Sequence, residues 1–528
     1  MLEPLDCIEC RDALLRFTPE TPTVRAEPVE ADWPQASVVV GNPPFLGDKK
    51  MRSELGDAYT ETLRKVYAGR VPGGADLVTY WFEKGRTAIE KNGLGAAGFV
   101  ATNSIRQGAN RKVLERVCTT TRIFEAWSDE PWVNEGAAVR VSLVCQGWGE
   151  CCFLDGLNVT HINADLTDGT QGLDLNEAIP LTENGNMSFF GLSLAGAFTI
   201  EASLAREWLR KGGNPNGRPN SDIIRPIWNG ADVTRRASDR WVIDFAQMNE
   251  DEARLYELPF EHILRFVKPV RDKNNRESRA RMWWRHGEAR PAMREALLGQ
   301  ARFIATSETS KHRYFVWCPT AIAPEHKLVV IPRSDDVTFG ILSSRIHVAW
   351  ALAVGSSLED RPVYTTSRCV EAFPFPAGLT PQDTASQQTR RLASGAVVPV
   401  LKASTGSART EEAIAEAAHK LTTLRDNWLN PPDWTQRLPE VVPLGMSTSP
   451  YPDRIVAKHG HEKELSERTL TKLYNARPAW LTTAHAALDQ AVATAYGWTD
   501  YTPEMADETI LQRLLALNVA RSVERSVR

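Results

Sequence analysis

The chain has 528 residues, 62 Lys+Arg against 66 Asp+Glu, 42% hydrophobic and 24% charged residues, which is globular composition at a length suggesting two to four domains. Disorder, fibre and collagen are excluded. No apolar run approaches the roughly 20 residues of a spanning helix, and Met1 is followed by Glu3, Asp6 and Glu9 rather than by a basic and then apolar leader, so the expectation is a soluble, cytoplasmic chain.

The eight cysteines are scattered and suit buried thiols in a reducing compartment. Cys7 and Cys10 form one CxxC pair, but no second pair and no two histidines at ligand spacing follow, so no metal site is expected. A formal charge of -4 excludes a polybasic protein while leaving room for a local basic surface.

From about residue 5 to 150 short apolar strands alternate with helical stretches, the pattern of an α/β parallel sheet. Leu5 to Cys10 reads as a strand, and Ser37 to Gly41 as a strand buried on both faces because it is a near-continuous β-branched run. Asp76 to Glu90 has helical periodicity, Ala96 to Thr102 is another strand, and Val139 to Gln146 completes the sheet. Between about 160 and 378 the texture changes to short strands with many Trp and Arg and turn signals such as Asn214-Pro215-Asn216-Gly217, a mixed α+β region. Beyond Phe373-Pro374-Phe375-Pro376 the chain is Ala-rich and helical, notably over Thr410 to Trp428 and Leu470 to Tyr496, with loops at Ala403 to Ser407 and Asn430 to Pro452.

The most informative residues are Asn42-Pro43-Pro44-Phe45, at the carboxyl end of the strand Ser37 to Gly41, where open α/β sheets place their sites. Asn42 and Pro43 both precede a proline and are held extended, so the tetrapeptide is stiff. Stiffness serves a site in which the Asn42 amide oxygen and the Pro43 carbonyl both accept hydrogen bonds from one NH2 group. A planar amino group on a heteroaromatic ring is a poor nucleophile, and two fixed acceptors favour the pyramidal form that attacks a methyl donor. Phe45 offers a face for stacking the ring, worth roughly 1–3 kcal/mol. A plain turn after a strand is the alternative reading of the same four residues.

This tetrapeptide resembles motif IV of S-adenosylmethionine-dependent amino methyltransferases. The resemblance extends along the chain to the methyltransferase, target-recognition and C-terminal portions of MmeI-like (Type IIL, Type IIG) restriction-modification enzymes. It is carried by Gly41-Asn42-Pro43-Pro44-Phe45-Leu46-Gly47, Ala75-Asp76-Leu77-Val78-Thr79-Tyr80-Trp81-Phe82, Ala101-Thr102-Asn103-Ser104-Ile105-Arg106-Gln107-Gly108 and Phe339-Gly340-Ile341-Leu342-Ser343-Ser344-Arg345. Phe373 to Pro376 and Leu473-Tyr474-Asn475-Ala476-Arg477-Pro478 add to it. The resemblance implies a partial, Rossmann-like methyltransferase sheet over 1–160, a mixed α+β target-recognition domain over 161–378 and a helical C-terminal domain over 379–528. It also implies S-adenosyl-L-methionine as cofactor, Asn42, Pro43, Pro44 and Phe45 as catalytic residues, and Asp12 as the acid that bonds the donor's adenine amino group. Asp12 capping a following helix is the structural alternative.

Gly93-Leu94-Gly95-Ala96-Ala97-Gly98 matches GxGxxG, yet it leaves a helix and enters a strand, the reverse of a nucleotide-cradling loop, and reads as a turn. The family's donor site begins with an Asp-Pro-x-Cys-Gly-Ser-Gly loop, and no such run occurs in this sequence. The expectation is a donor-binding half lying upstream of Met1 or on a second polypeptide.

Ten basic residues stand between Arg265 and Arg294 against Asp272, Glu277 and Glu288, a local basic stripe. Arg271, Arg276, Arg279, Arg281 and Arg285 are the candidates for contact with double-stranded DNA, with Trp283-Trp284 to brace or stack. A methyltransferase must extract its base from the duplex, which gives a separate DNA-gripping domain a physical purpose. The expected function is therefore site-specific adenine-N6 methylation of DNA. A non-catalytic DNA-recognition partner, a glutamine side-chain methyltransferase and cytosine N4 as acceptor stand as alternatives.

Overall fold

The computed structural model describes residues 9–17, 28–134, 137–169, 173–274, 276–358, 361–401 and 408–526. The chain divides into two compact units, Met1–Asp174 and Leu175–Arg528.

In the first unit β1 (Leu15–Phe17) and β2 (Pro28–Glu30) form a small antiparallel pair. The main sheet holds β3 (Val38–Gly41), β4 (Ala96–Thr102), β5 (Arg122–Asn134), β6 (Ala137–Gly147), β7 (Cys152–Leu154) and β8 (Leu157–Val159) in the order β3-β4-β6-β5-β7-β8. β3 and β4 are parallel, and the crossover between them carries α1 (Asp48–Leu55), α2 (Asp57–Val66) and α3 (Thr79–Lys91). Helix α4 (Gly108–Thr120) follows β4.

The alternation of β4 explains the packing: Ala97, Phe99 and Ala101 are buried and face α3, with Phe82 edge-on to Phe99 at 5.2 Å. Gly85 lets α3 approach this closely. A Cβ there would stand 2.7 Å from Gln146 Nε2 and 3.1 Å from both the Ala97 Cβ and the Phe99 ring. Inside α3 the fully buried Glu83 is matched by Arg86, whose Nε and Nη2 donate to it at 3.0 and 2.8 Å, so the buried charge is paired.

The strand β3 differs from its sequence reading. It is buried on one face only: Val38 is 56% and Val40 82% exposed, because among the described residues β3 pairs with β4 alone and forms the sheet edge. Most of Leu5 to Cys10 lies outside the described residues, and Glu9 and Cys10 are irregular. Val139 to Gln146 is part of β6 but does not complete the sheet, which continues through β5, β7 and β8. β5 escapes a pattern reading because Glu125, Asp129, Glu130 and Pro131 interrupt its alternation, and its register with β6 shifts twice. Gly93 adopts φ +74° in the turn from α3 into β4, as the order of elements predicts.

The second unit contains two four-stranded sheets. One is built from β10 (Thr199–Glu201), β11 (Ile224–Trp228), β12 (Arg240–Ile243) and β15 (Ala323–Pro324) in the order β10-β12-β11-β15. The other is built from β9 (Phe189–Phe190), β13 (Arg302–Ser307), β14 (Val316–Pro319) and β16 (Leu328–Ile331) in the order β14-β13-β16-β9. Asn214 to Gly217 is a turn, closed by Gly217 N donating to Asn214 O at 2.8 Å with φ +68° at the glycine. The C-terminal helices do not stand apart from these sheets. One apolar core runs from Ile304 and Val329 through Phe373 and Phe375 to Ile414, Leu488 and Leu514.

Leu470 to Tyr496 is two helices, Leu470–Ala476 and Ala479–Ala495, rather than one. Pro478 cannot donate to the turn before it, and Arg477 takes the left-handed conformation at φ +40°. Among the described residues no single helix is long and apolar enough to cross a membrane; the bent apolar pair Asp336–Ser343 and Arg345–Val354 belongs to the core. Ala403 to Ser407 lies outside the described residues.

Asp489 is a buried carboxyl in this core that accepts from Arg345 N at 2.7 Å, and burial pushes it up to about 6. Because the folded state holds this proton more tightly than the unfolded chain does, the stabilisation it brings is present below about pH 4 and lost as pH rises through 6. Asp489→Asn keeps the acceptor and does not titrate. In denaturant titrations it is expected to exceed the parent chain by about 2–3 kcal/mol at pH 7, a gap that closes toward pH 4.

Candidate functional site

Asn42 to Phe45 leave the carboxyl end of β3. Asn42 and Pro44 are exposed, Pro43 is buried and Phe45 is half-buried. Prolines carry no N–H, so Pro43 and Pro44 contribute acceptors and no donors. The Pro44 carbonyl is taken by Leu46 N at 3.0 Å. The Asn42 side chain and the Pro43 carbonyl have no hydrogen-bond partner among the described residues. Two uncommitted acceptors therefore stand side by side at a strand end, next to an aromatic ring.

Asp76, just before α3, holds the chain that follows this tetrapeptide. Its Oδ1 accepts from Asp48 N at 3.0 Å, and its Oδ2 accepts from Ser104 Oγ at 2.9 Å and Asn110 Nδ2 at 2.7 Å. Asp76 N donates to Asn110 Oδ1 at 2.7 Å, and Leu77 N donates to Leu46 O at 2.9 Å. One carboxylate thus joins the loop after Phe45 to the start of α3, the end of β4 and α4. Sequence reasoning marked Asp76 and Ser104 only as members of similar segments and passed over Asn110. Spacing could not reveal the knot, because its members are 28 to 34 residues apart.

Asp12 is exposed and caps no helix. Its Oδ1 accepts from Leu14 N at 2.8 Å and Leu15 N at 3.1 Å, closing a turn into β1. Burial, and then a hydrogen bond to Asp12, push the Tyr59 hydroxyl up. The next residue, Ala13, borders an apolar groove of about 490 Å³ that also touches Trp33, Val39, Trp81, Phe99, Asn42 and Pro43. The structure therefore brings the Asp12 turn and the Asn42 tetrapeptide to one groove.

The basic stripe separates into two kinds of arginine. Arg271 is withdrawn from the set of DNA contacts: it is 1% exposed, donates to Leu194 O at 3.0 Å and Arg285 O at 3.1 Å, and lies over Phe198. Arg285 is half-buried and committed to Met248 O at 2.8 Å and Gln247 O at 2.6 Å. Trp283 and Trp284 are core residues, with Trp284 Nε1 donating to Met248 O, so neither offers a face for stacking a base. Arg276 and Arg281 are exposed and Arg279 half-exposed, and their side chains make no hydrogen bond or ion pair with any described residue.

Among the described residues no cluster of three or more His, Cys, Asp or Glu could hold a metal ion. Cys7 lies outside them, and Cys10 is exposed and unpaired.

An open α/β sheet with an acceptor pair beyond a strand's carboxyl end, joined to a second unit of mixed sheets, defines a methyltransferase-like domain followed by a recognition domain. Residues 8–148 match the family described as "MmeI, DNA-methyltransferase domain", and residues 194–377 match "MmeI, target recognition domain". The chain belongs to the MmeI-like, type IIL family of methyltransferases. It is 24% identical over 363 residues to DNA methyltransferase A of Bacillus subtilis (strain 168), a match spanning 64% of this chain and 39% of that protein. The fold is similar to that of the Type IIL restriction-modification enzyme MmeI solved in complex with DNA, with a TM-score of 0.63 and 20% identity, over 92% of this chain and 57% of that one. The chain thus covers about two-fifths to three-fifths of the length of these relatives.

Asp76→Ala leaves the Asp48 N–H, the Ser104 hydroxyl and the Asn110 amide without their acceptor. It is expected to destabilise the first unit by about 2 kcal/mol, read as an earlier urea transition. Hydrogen exchange should rise at Leu46 and Asp48 before it rises in β4.

Proposed function

We propose that this chain methylates an exocyclic amino group of a base in double-stranded DNA, adenine N6 in the first place, at a site chosen by its recognition domain. The observation that carries the reading is the pair of uncommitted acceptors, Asn42 Oδ1 and Pro43 O, on a stretch with no competing donor at either proline. An amino group has two N–H donors and satisfies both acceptors at once. Holding both N–H bonds out of the ring plane localises the nitrogen lone pair and aims it at the incoming methyl. Phe45 supports the extracted ring by stacking. S-adenosylmethionine, when bound, supplies the electrophilic methyl. The Asp12 turn on the shared groove is where this chain would meet the donor's adenine, with the second carboxylate oxygen of Asp12 as acceptor.

The donor-embracing loop of the family has no counterpart in this sequence. The uncovered edge and outer face of β3, with Val38 and Val40 exposed, supports a second element to the same proposal: a further polypeptide segment carrying that loop pairs with β3 and completes the donor pocket. It also favours a second reading, in which the chain acts as a DNA-recognition partner without catalysis of its own. The two separate in a calorimetric titration of S-adenosylmethionine into this chain alone and into its mixture with such a segment. The proposal expects saturable binding only in the mixture, and absence of binding in both overturns it in favour of the second reading.

In that donor-complete assembly Asn42→Ala is expected to lower methyl transfer by about 10²- to 10³-fold while duplex affinity stays within error. Methylation retained by this variant would remove Asn42 from the mechanism.

The free guanidiniums of Arg276, Arg279 and Arg281 support a phosphate-contacting face. Each substitution to Gln is expected to weaken duplex binding across sequences and to reduce the salt slope by about 1. Arg271→Gln should instead lower stability and leave the slope unchanged, since its partners are carbonyls of the fold.

A further inference from the structure

The second unit holds a cavity of about 760 Å³, between the end of β11, the loop into β12, strand β14, the helix Ala408–Leu429 and the strand pair Thr435–Leu438 and Arg454–Ala457. Seven arginines line it, and four have carboxylate partners. Arg240 pairs with Asp232 at 3.0 Å, Arg302 with Asp336 at 3.0 Å, Arg437 with Asp426 at 3.7 Å and Arg454 with Glu440 at 3.3 Å. Arg235, Arg236 and Arg425 have no ion pair among the described residues.

Arg425 is the telling one. It is 4% exposed, its Nη2 donates to Phe315 O at 2.8 Å, and its Nη1 is buried without a hydrogen-bond partner. Two residues along β14 from Phe315, Trp317 Nε1 is likewise buried and unpartnered, with the ring held between Phe339 at 4.8 Å and the Arg302 guanidinium at 3.6 Å. A buried guanidinium without a counter-charge is costly, and a wall that leaves two donors unanswered calls for acceptors from outside the chain. Arg236 spends two donors on Leu429 O and Asn430 Oδ1, and the exposed Arg235 spends none on a described side chain or carbonyl.

We propose that this cavity binds a phosphate group carried on a nucleotide: Arg235, Arg236 and Arg425 compensate the charge, Trp317 Nε1 donates to it, and half-buried Trp228 borders the space for a base. A planar, multiply donating set of guanidiniums suits a phosphate better than a single ammonium would. The volume falls within the range of small-molecule sites. The site lies apart from Asn42, in the other compact unit, and stands whether or not the chain transfers methyl groups.

The test titrates the full chain with deoxyadenosine monophosphate, deoxyadenosine, inorganic phosphate and a duplex oligonucleotide, and repeats each with Arg425→Gln and Arg235→Gln. The proposal expects the monophosphate to bind, deoxyadenosine not to, and both variants to lose about tenfold in affinity. If only the duplex binds and only its affinity falls in the variants, the phosphate belongs to a nucleic-acid strand. If neither the monophosphate nor the duplex responds to either substitution, the proposal is overturned. Should Arg425→Gln fail to fold, Arg235→Gln decides, since Arg235 is exposed and holds nothing in the fold.

Discussion

The first unit is organised around a backbone constraint. Two consecutive prolines after an asparagine remove two N–H groups and restrict the residues before them to extended conformations. What remains at the end of β3 is a rigid edge that accepts hydrogen bonds and donates almost none. That edge is useful only if its place is fixed, and the neighbouring architecture fixes it. β3 lies parallel to β4, α3 closes on β4 through Gly85, and Asp76 ties the exit loop to three elements at once. The site is held by side chains that do not enter it.

The strand bearing the tetrapeptide is also the least protected strand of the sheet. Parallel strands are ordinarily covered on both faces, and β3 shows Val38 and Val40 to solvent. An apolar, unpaired edge is an association hazard unless another strand takes it. The groove bordered by Ala13, Trp33, Val39 and Phe99 lies on the other face, against the helices. The place where a methyl donor would be met and the place where the sheet lacks a neighbour thus adjoin the same short strand.

Much of this was legible in the sequence, for identifiable reasons. β4 and the helix over Thr79–Lys91 follow clean periodicities, and the reversed order around Gly93 to Gly98 excluded a nucleotide loop because chain direction is a local property. Other features depended on what lies beside a residue in space. The run Ser37 to Gly41 has the composition of a doubly buried strand, and nothing in five residues reports that one side is open. β5 hid behind its charged residues and Pro131. The long C-terminal helix read as continuous until Pro478 and the left-handed Arg477 divided it. The Asp76 knot joins four segments, and no spacing rule connects them.

Arginine shows the same limit most sharply, because its side chain can serve water, a phosphate or a buried carbonyl with equal chemical logic. Within the basic stripe Arg271 and Arg285 are spent on carbonyls of the fold while Arg276, Arg279 and Arg281 are not. Charge counting gives the five equal weight; hydrogen-bond accounting divides them. The same accounting carried into the 760 Å³ cavity separates four paired arginines from three unpaired ones. Burial without a partner is then the distinguishing property. An exposed arginine is satisfied by water wherever it stands, whereas Arg425, cut off from water with one nitrogen unbonded, costs the fold stability unless an anion is present to answer it.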